Sequence, residues 1–347
     1  MVPSPPANAQ HVIDRCRSLG FALAGVCEAR DSEYPDQFRN WIAERRHGEM
    51  AYLARNVEAR LSPSVLMPGA SSIIVVADQY AARGDSKGGV AAATESNPDA
   101  VVGRIARYAQ GDDYHEVMKS RLHTLCDELR SAHPDEQFRA FVDTAPVLER
   151  EHAVRAGLGW IGRNSLLIHP RLGSWLFLGG VLTSLRLHAD AAPMPVPDHC
   201  GSCTRCIDAC PTGAIAPSDG PRSVDGSRCI SGLTIEQRGP IDPGFHRMIG
   251  DWFYGCDVCQ EVCPHNSRRD PSVDVGTPHP DYTPRRSGFD MLQVLGWTEL
   301  DRRTAFRNSA MKRAKLGMLH RNAAIVVGNS RHATPDGDHS RTDGASG

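Results

Sequence analysis

Apolar positions along this chain recur with two spacings, and each change of spacing marks a change of element. Residues 10–19 and 35–54 place apolar side chains at helical intervals, while Phe21–Ala29 and Ser71–Ala77 (SSIIVVA) are short apolar runs of strand length. The second run follows a Pro68-Gly69 turn. Further along, the pattern predicts a strand over Gly103–Ala109, a helix over Tyr114–Ala132, a strand over Phe138–Val142 and a helix over Pro146–Ala156. Ser165–Leu187 carries two β-rich stretches broken at Pro170-Arg171-Leu172-Gly173, which reads as a hairpin. Helices are predicted again around 298–308 and 310–328. Residues 81–100 are small and polar and read as a mobile loop or insertion. Residues 266–287 are Pro- and Arg-rich irregular chain, and the tail after Asn329 is expected to be disordered.

Strands and helices follow one another in mixed order without a strict βα repeat, so the N-terminal part is expected to be α+β rather than doubly wound. No G-x-G-x-x-G follows a strand and no G-x4-G-K-[ST] loop occurs, which argues against dinucleotide binding and phosphoryl transfer. At 347 residues and 40% hydrophobic content the chain has room for two domains and a substantial core. Its net charge of −2 leaves no general nucleic-acid footprint, so any RNA contact must come from a local patch. No apolar run is long enough for a spanning helix, and Met1–Gln10 carries neither a twin-arginine nor an apolar export segment. The expected location is the cytoplasm.

Eight of the eleven cysteines lie between Cys200 and Cys263. They read Cys200-x2-Cys203-x2-Cys206-x3-Cys210-Pro211, then Cys229, then Cys256-x2-Cys259-x3-Cys263-Pro264. The first run has the spacing of a bacterial ferredoxin loop, whose first three thiolates hold one [4Fe–4S] cube while the fourth reaches the other. The second run is incomplete, because Phe253 stands where its first cysteine would be, and Cys229 is the obvious replacement. Crossing then assigns Cys200, Cys203, Cys206 and Cys263 to one cluster, and Cys210, Cys229, Cys256 and Cys259 to the other. Both are expected to be electron carriers with no open iron. Paired C-x2-C spacings also suit structural zinc, and that alternative stays open, although zinc modules bring two separated knuckles rather than three consecutive turns closed by x3-C-P. Disulfide frameworks belong to short secreted domains. Cys16, Cys27 and Cys126 sit in apolar or helical surroundings and read as core thiols. Pro193–Asp198 is a stiff linker into the cysteine region.

Clusters pass single electrons, so flavin, cobalamin or a radical is needed to use them on an organic substrate, and no C-x3-C-x2-C radical motif occurs. Several segments are informative here: Gly103–His115 (GRIARYAQGDDYH), Phe141–Arg150 (FVDTAPVLER), Ala156–Ile168 (AGLGWIGRNSLLI), Gly173–Gly179 (GSWLFLG) and Cys229–Ile241 (CISGLTIEQRGPI). Together with both cysteine runs they resemble the epoxyqueuosine reductase family, in order, from about residue 10 to 329. The resemblance implies a nitroreductase-like, cobalamin-binding α+β domain over 1–192 and a ferredoxin-like domain with two [4Fe–4S] clusters over 193–287. A short HEAT-like helical segment that binds tRNA over 288–329 and a disordered tail over 330–347 would follow. The implied reaction, the last step of queuosine synthesis, reduces epoxyqueuosine at the tRNA wobble position to queuosine.

Removing an epoxide oxygen to leave an alkene takes two electrons and two protons and releases water, so a general acid is needed. The family's acid is the Asp of V-D-T-A-P, here Asp143. Its competing explanation is an N-cap for the helix that follows, a role Thr144 could also fill. As a donor near neutral pH, Asp143 is expected to have its pKa raised by burial. Arg60, Ala106, Tyr108, Asn164, Ser165 and Leu166 match family segments that line the corrin, with Trp160 as further pocket lining, and Ser231 matches a position where the cluster domain meets the cofactor. The D-x-H-x2-G cobalamin pattern begins at Asp113 and His115 but has Met118 in place of Gly, so His115 is expected to be structural rather than an axial ligand. For tRNA, the patch is Arg302, Arg303, Arg307, Lys312, Arg313, Lys315 and Arg321, against the alternative of a solvated helix face. The chain is expected to act as a monomer, with a small external electron donor such as flavodoxin or ferredoxin. A reductive dehalogenase shares the cofactor set but generally carries a twin-arginine leader and a Tyr acid. A cobalamin carrier would need no clusters, and a ferredoxin-like adaptor no corrin pocket.

Overall fold

The computed structural model describes residues 7–84, 100–188, 194–215, 222–267 and 274–331; the loop expected at 81–100 and the tail after Asn329 therefore fall mostly outside them. The apolar runs form an antiparallel sheet. Helix α1 (Ala9–Ser18), capped by the Asn8 side chain, leads into β1 (Leu23–Glu28), and β2 (Ser72–Gln79) pairs with it. Next come β3 (Val102–Ile105), α2 (Tyr114–Ala132), β4 (Phe138–Val142), α3 (Glu149–Arg155) and β5 (Leu176–Thr183). The sheet order is β1-β2-β5-β4, antiparallel throughout. Helices α1 and α2 cover one face and α3 the other, so every residue of the central β2 is buried. A strand buried on both faces reads as a continuous apolar run, which is why SSIIVVA shows no alternation.

Two expectations are refined. The 35–54 helix is broken into Pro35–Ala43 and Ala51–Arg55, because Arg45 and Gly48 both take left-handed backbone angles (φ 56°) between them. The strand predicted over Gly103–Ala109 stops at Ile105, and Arg107–Ala109 forms a 3-10 turn. The hairpin at Pro170–Gly173 is present as a His169–Gly173 bridge. Gly173 (φ 74°) is required there twice over, since a Cβ would lie 2.1 Å from Asn266 Oδ1.

The remainder of the chain is woven into this body. Helix α4 (Ile230–Ile235) follows Cys229 directly, and β6 (Trp252–Tyr254) runs parallel to β3, while β7 (Gly288–Asp290) pairs with the other edge of β3 antiparallel. One small sheet, β6-β3-β7, thus draws on all three segments delimited by the sequence. Helices α5 (Met291–Leu295), α6 (Glu299–Ala305) and α7 (Leu316–Arg331) close over it, burying Met291, Val294, Phe306, Leu319 and Val326 against Ile105, Phe253 and Tyr254. Residues 310–313 form a 3-10 turn ahead of α7, so the last helix starts later than its apolar pattern suggests. No helix among the described residues is long and apolar enough to cross a membrane.

One buried charge ties the layers together. Asp78, on β2, is fully enclosed and accepts hydrogen bonds from Arg121 Nη1 of α2 at 3.2 Å and from the Tyr282 hydroxyl at 2.6 Å. Arg121 also lies 4.3 Å over the Phe21 ring. Deleting one partner strands the other charge in the core, which typically costs about 3–5 kcal/mol. Asp78→Ala is therefore expected to lower unfolding stability by roughly 3 kcal/mol or more in urea titration, and an unchanged midpoint would refute that role for Asp78.

Candidate functional site

The eight cysteines fall into two adjacent groups. Short helical turns at Arg205–Asp208 and Val258–Glu261 pack against each other and present the thiols inward. Cys206 has Cys263, Cys200 and Cys203 as its charged neighbours, whereas Cys256 has Cys229 and Cys210, and Cys259 has Cys256 and Cys229. Burial pushes the Cys206 thiol up to about 11, with the neighbouring thiolates adding to it, and drives Cys259 well above its usual value. Crowded thiols of this kind deprotonate together only around a compensating cation, which is what iron supplies. The donor set therefore fits two iron–sulfur cages. A cavity of about 300 Å³ opens onto Cys200, Cys203, Cys206 and Cys263.

Two of the residues singled out for the cofactor pocket and its border with the cluster domain, Trp160 and Ser231, touch these cages. Trp160 is buried at 3% exposure, and its indole N–H points at Cys200 Sγ, 3.5 Å away. The rings of His199 and His265 meet it edge-on at 5.0 and 4.9 Å. Ser231 turns its hydroxyl and backbone N–H toward the Cys229 sulfur, favouring the thiolate against a burial that raises its pKa.

A cluster of polar groups is built around Asp143. This residue follows β4 and takes a left-handed backbone (φ 48°), a conformation that costs a non-glycine residue about 1 kcal/mol and is found at strained functional positions. Helix α3 begins only at Glu149, and Leu148 occupies its N-cap position, so neither Asp143 nor Thr144 caps it. The Asp143 side chain is 60% exposed, yet it faces a crowded set of polar groups. His115 Nε2 lies 3.1 Å from Asp143 Oδ2, and the Tyr114 hydroxyl donates to the same oxygen at 3.0 Å. The other imidazole nitrogen, Nδ1, lies 2.7 Å from Asp113 Oδ1, and Asp113 in turn meets Lys312 Nζ at 2.7 Å. An imidazole between two carboxylates is held protonated: burial disfavours the charge, but the hydrogen bonds and charges of Asp113 and Asp143 lift the His115 pKa to about 9.

This arrangement overturns one expectation. Desolvation by the groups crowded around it pushes the Asp143 carboxyl upward even though the side chain is partly open to solvent, but His115, Tyr114 and Arg313 together hold it below the usual carboxylate range. The proton stored here sits on the Asp143–His115 pair, on the imidazole side. A second acid does behave as anticipated: burial, reinforced by the Asp143 charge, raises Glu149 to about 8.

Arg60 Nε and Glu149 Oε1, which lie in the field of Asp143, are buried without a hydrogen-bond partner among the described residues, as are Ser165 Oγ and Asn164 Nδ2, the latter on the cavity at the first cysteine group. Buried polar groups are rarely left unsatisfied, so Arg60 and Glu149 are positions that a polar ligand would complete. Ser165 is again left-handed (φ 61°), and its carbonyl accepts from Arg150. Leu166 N donates to Asn164 Oδ1 at 3.3 Å. Ala106 is buried beside β6, with its N–H on Tyr254 O at 2.8 Å, while the Tyr108 ring meets Tyr114 edge-on at 6.4 Å and its hydroxyl bonds to Tyr254. Tyr114, Glu149 and Arg150 were not singled out from the sequence. The Asp113–His115 spacing was the available signal, but nothing in it points to Asp143.

The C-terminal cations divide. Arg302 donates to Ala314 O at 3.1 Å and Arg321 to the carbonyls of Leu233, Gln237 and Gly239, so both are structural. Arg313 pairs with Glu236 at 2.7 Å and its charge acts on Asp143, while Arg303, Arg307 and Lys315 are exposed.

Residues 199–266 match the family described as a 4Fe-4S double cluster binding domain, and residues 60–144 match that described as Epoxyqueuosine reductase QueG, DUF1730. The clusters are thus iron–sulfur, and zinc is set aside. The epoxyqueuosine reductase of Salmonella typhimurium is 37% identical over 326 residues, spanning 93% of this chain and 80% of its own length. An epoxyqueuosine reductase solved with a tRNA-Tyr epoxyqueuosine-modified stem loop superposes with a TM-score of 0.79 at 29% identity, covering 94% of this chain and 82% of that one. The Bacillus subtilis epoxyqueuosine reductase, solved with its Asp catalytic loop swung out of the active site, gives 0.79 at 28% identity over the same shares, 94% and 82%. The chain belongs to the epoxyqueuosine reductase family.

Proposed function

We propose that this chain reduces epoxyqueuosine to queuosine at the wobble position of tRNA, acting as a cytoplasmic monomer fed by an external one-electron donor. The observation that carries the reading is the Asp113–His115–Asp143 constellation, with Tyr114 bonded to the same carboxylate. In this reading Cys200, Cys203, Cys206 and Cys263 hold one cluster and Cys210, Cys229, Cys256 and Cys259 the other. Cobalamin suits this cluster of polar groups because its amide-rimmed ring would satisfy the stranded groups of Arg60 and Ser165, and Ala106, Tyr108, Asn164 and Leu166 are the further residues that would line it. Bound there, it supplies a strongly reducing and nucleophilic cobalt centre. The N-terminal layer is then the nitroreductase-like cobalamin domain, and 288–329 the short HEAT-like segment facing tRNA.

The residues handle protons and position. The His115 imidazolium passes its proton across the 3.1 Å contact to Asp143, which delivers it to the epoxide oxygen as the C–O bond breaks. Tyr114 fixes the carboxylate rotamer through Oδ2. Glu149, protonated at neutral pH, keeps a second negative charge away from the acid. Over the whole reaction two electrons and two protons enter, and water leaves.

Three outcomes test this reading. Asp143→Asn is expected to keep its iron and bind cobalamin, yet to lose at least about 100-fold in turnover of epoxyqueuosine-containing tRNA, scored by nucleoside mass spectrometry. Turnover at the wild-type rate would remove Asp143 from the chemistry. Wild-type activity should fall as pH rises through about 9, where His115 loses its proton, and His115→Gln should lack that alkaline limb. The sign for stability is the same: the His115 contribution is full below its ordinary value of 6.5 and disappears as pH climbs through about 9. Finally, Arg307→Glu with Lys315→Glu should weaken tRNA binding and shallow its salt dependence by roughly one unit of slope per lost contact. An unaltered slope would assign these residues to a solvated face.

A further inference from the structure

Trp160 belongs to the N-terminal layer in sequence, yet its side chain ends at the first cysteine group. It stands on a two-strand hairpin that pairs Trp160 with Ile168 and Ile161 with Leu167. The tip of the hairpin, closed by Ser165 N on Gly162 O at 2.9 Å, carries Asn164, Ser165 and Leu166. Three contacts bind this hairpin to the Cys200 loop. Arg163 donates to Gly201 O at 2.9 Å, Arg222 donates to Ile161 O at 2.6 Å, and Trp160 Nε1 donates to Cys200 Sγ at 3.5 Å. Asp198 pairs with Arg222 and accepts from Cys200 N at 2.8 Å, so carboxylate and guanidinium stand against Cys200 as a matched pair. The Trp160 ring packs on Cys263 as well as on Cys200, two of the four thiols in the group. His199 and His265 flank it edge-on, with interplanar angles of 67° and 78°, and leave the indole no freedom to turn.

We propose that Trp160 tunes the reduction potential of the cube held by Cys200, Cys203, Cys206 and Cys263, through the indole N–H aimed at Cys200 Sγ. The inference rests on the two-cluster reading above. When the cube takes one electron from an external donor it gains one negative charge, shared over its sulfurs; no bond breaks and no proton moves. An indole nitrogen can only donate, so its dipole keeps one sign toward the sulfur. That fixed dipole interacts more strongly with the reduced cube than with the oxidised one, which raises the potential. Burial strengthens the effect by keeping screening water away from the N–H. A packing role alone would act with the opposite sign. A smaller ring at this position would let water approach the sulfurs, and water also favours the more highly charged, reduced cube. The potential would then hold or rise, so the direction of the shift separates the two roles.

The experiment uses the cluster-loaded full chain, titrated anaerobically to its midpoint potentials with electron paramagnetic resonance as the readout. Trp160→Phe keeps an aromatic ring on the hairpin but removes the N–H. One of the two midpoints should fall, by enough to make reduction of that cube roughly tenfold less favourable, which is about 59 mV for a one-electron couple. The other midpoint, and the iron and sulfide content, should stay at wild-type values. Two unshifted midpoints, or a rise in either, would overturn the inference. Should the variant lose iron, the wild type grown with indole-¹⁵N tryptophan decides. Its reduced clusters should then show a ¹⁵N hyperfine coupling in pulsed resonance spectra, and absence of that coupling refutes the proposal. A wild-type chain holding fewer than two cubes would remove the two-cluster reading and this inference together. Unshifted potentials in a two-cube protein strike the role of Trp160 alone.

Discussion

Strand β3 is only four residues long, but it is the constraint on which the site depends. It is paired on both edges, to β6 on one side and β7 on the other. Chain leaving β6 runs straight into Cys256, chain leaving β7 runs into the C-terminal helices, and β3 itself continues into Ala106, Tyr108 and the Asp113–His115 cap of α2. Backbone hydrogen bonds set the exits of β3 and β6 side by side, with Tyr254 paired to Ile105, while β7 leaves beside Val102 at the opposite end. The Cys256 turn and the tyrosines that lead toward Asp143 are therefore held as one arrangement rather than as docked modules. The shared apolar core over this sheet reinforces it, since Ile105, Phe253 and Met291 come from three distant parts of the sequence and none can be buried without the others.

The chemistry around Asp143 is electrostatic in origin. A lone buried aspartate would hold its proton tightly, whereas a carboxylate bonded to an imidazolium holds it loosely and can be recharged. Asp113 sustains the imidazolium by keeping a negative charge on its far side, and Lys312 helps keep Asp113 ionised. Acid strength at Asp143 is thus set by residues two and three steps removed, one of them on the C-terminal segment.

Much of the fold could be read from the sequence. Apolar periodicity located α2, β4 and β2 because burial governs those residues on one face or on both. The cysteine spacing located the cages because ligand geometry tolerates few alternatives. What could not be read depended on juxtaposition. Asp143 and His115 are brought together by the pairing of β4 and the start of α2, and no local pattern encodes that meeting. Arg302 and Arg321 looked like members of a basic face, but carbonyls left open at nearby helix ends claim their guanidinium groups. The broken 35–54 helix had a continuous apolar pattern, and tertiary packing of the Arg45–Gly48 turn overrode it.

Helix α7 carries a feature with a consequence for how the protein matures. Arg321 satisfies the carbonyls at the end of α4, and Asn322, 1% exposed, bonds Thr234 O and Phe253 O at 2.9 Å each. The helix that Cys229 begins is therefore stapled shut by residues translated some ninety positions later. Without α7 those carbonyls would stay open to water and the Cys229 end of the cage would have no fixed place. Closure of the cage is thereby coupled to the docking of a helix far downstream in the chain.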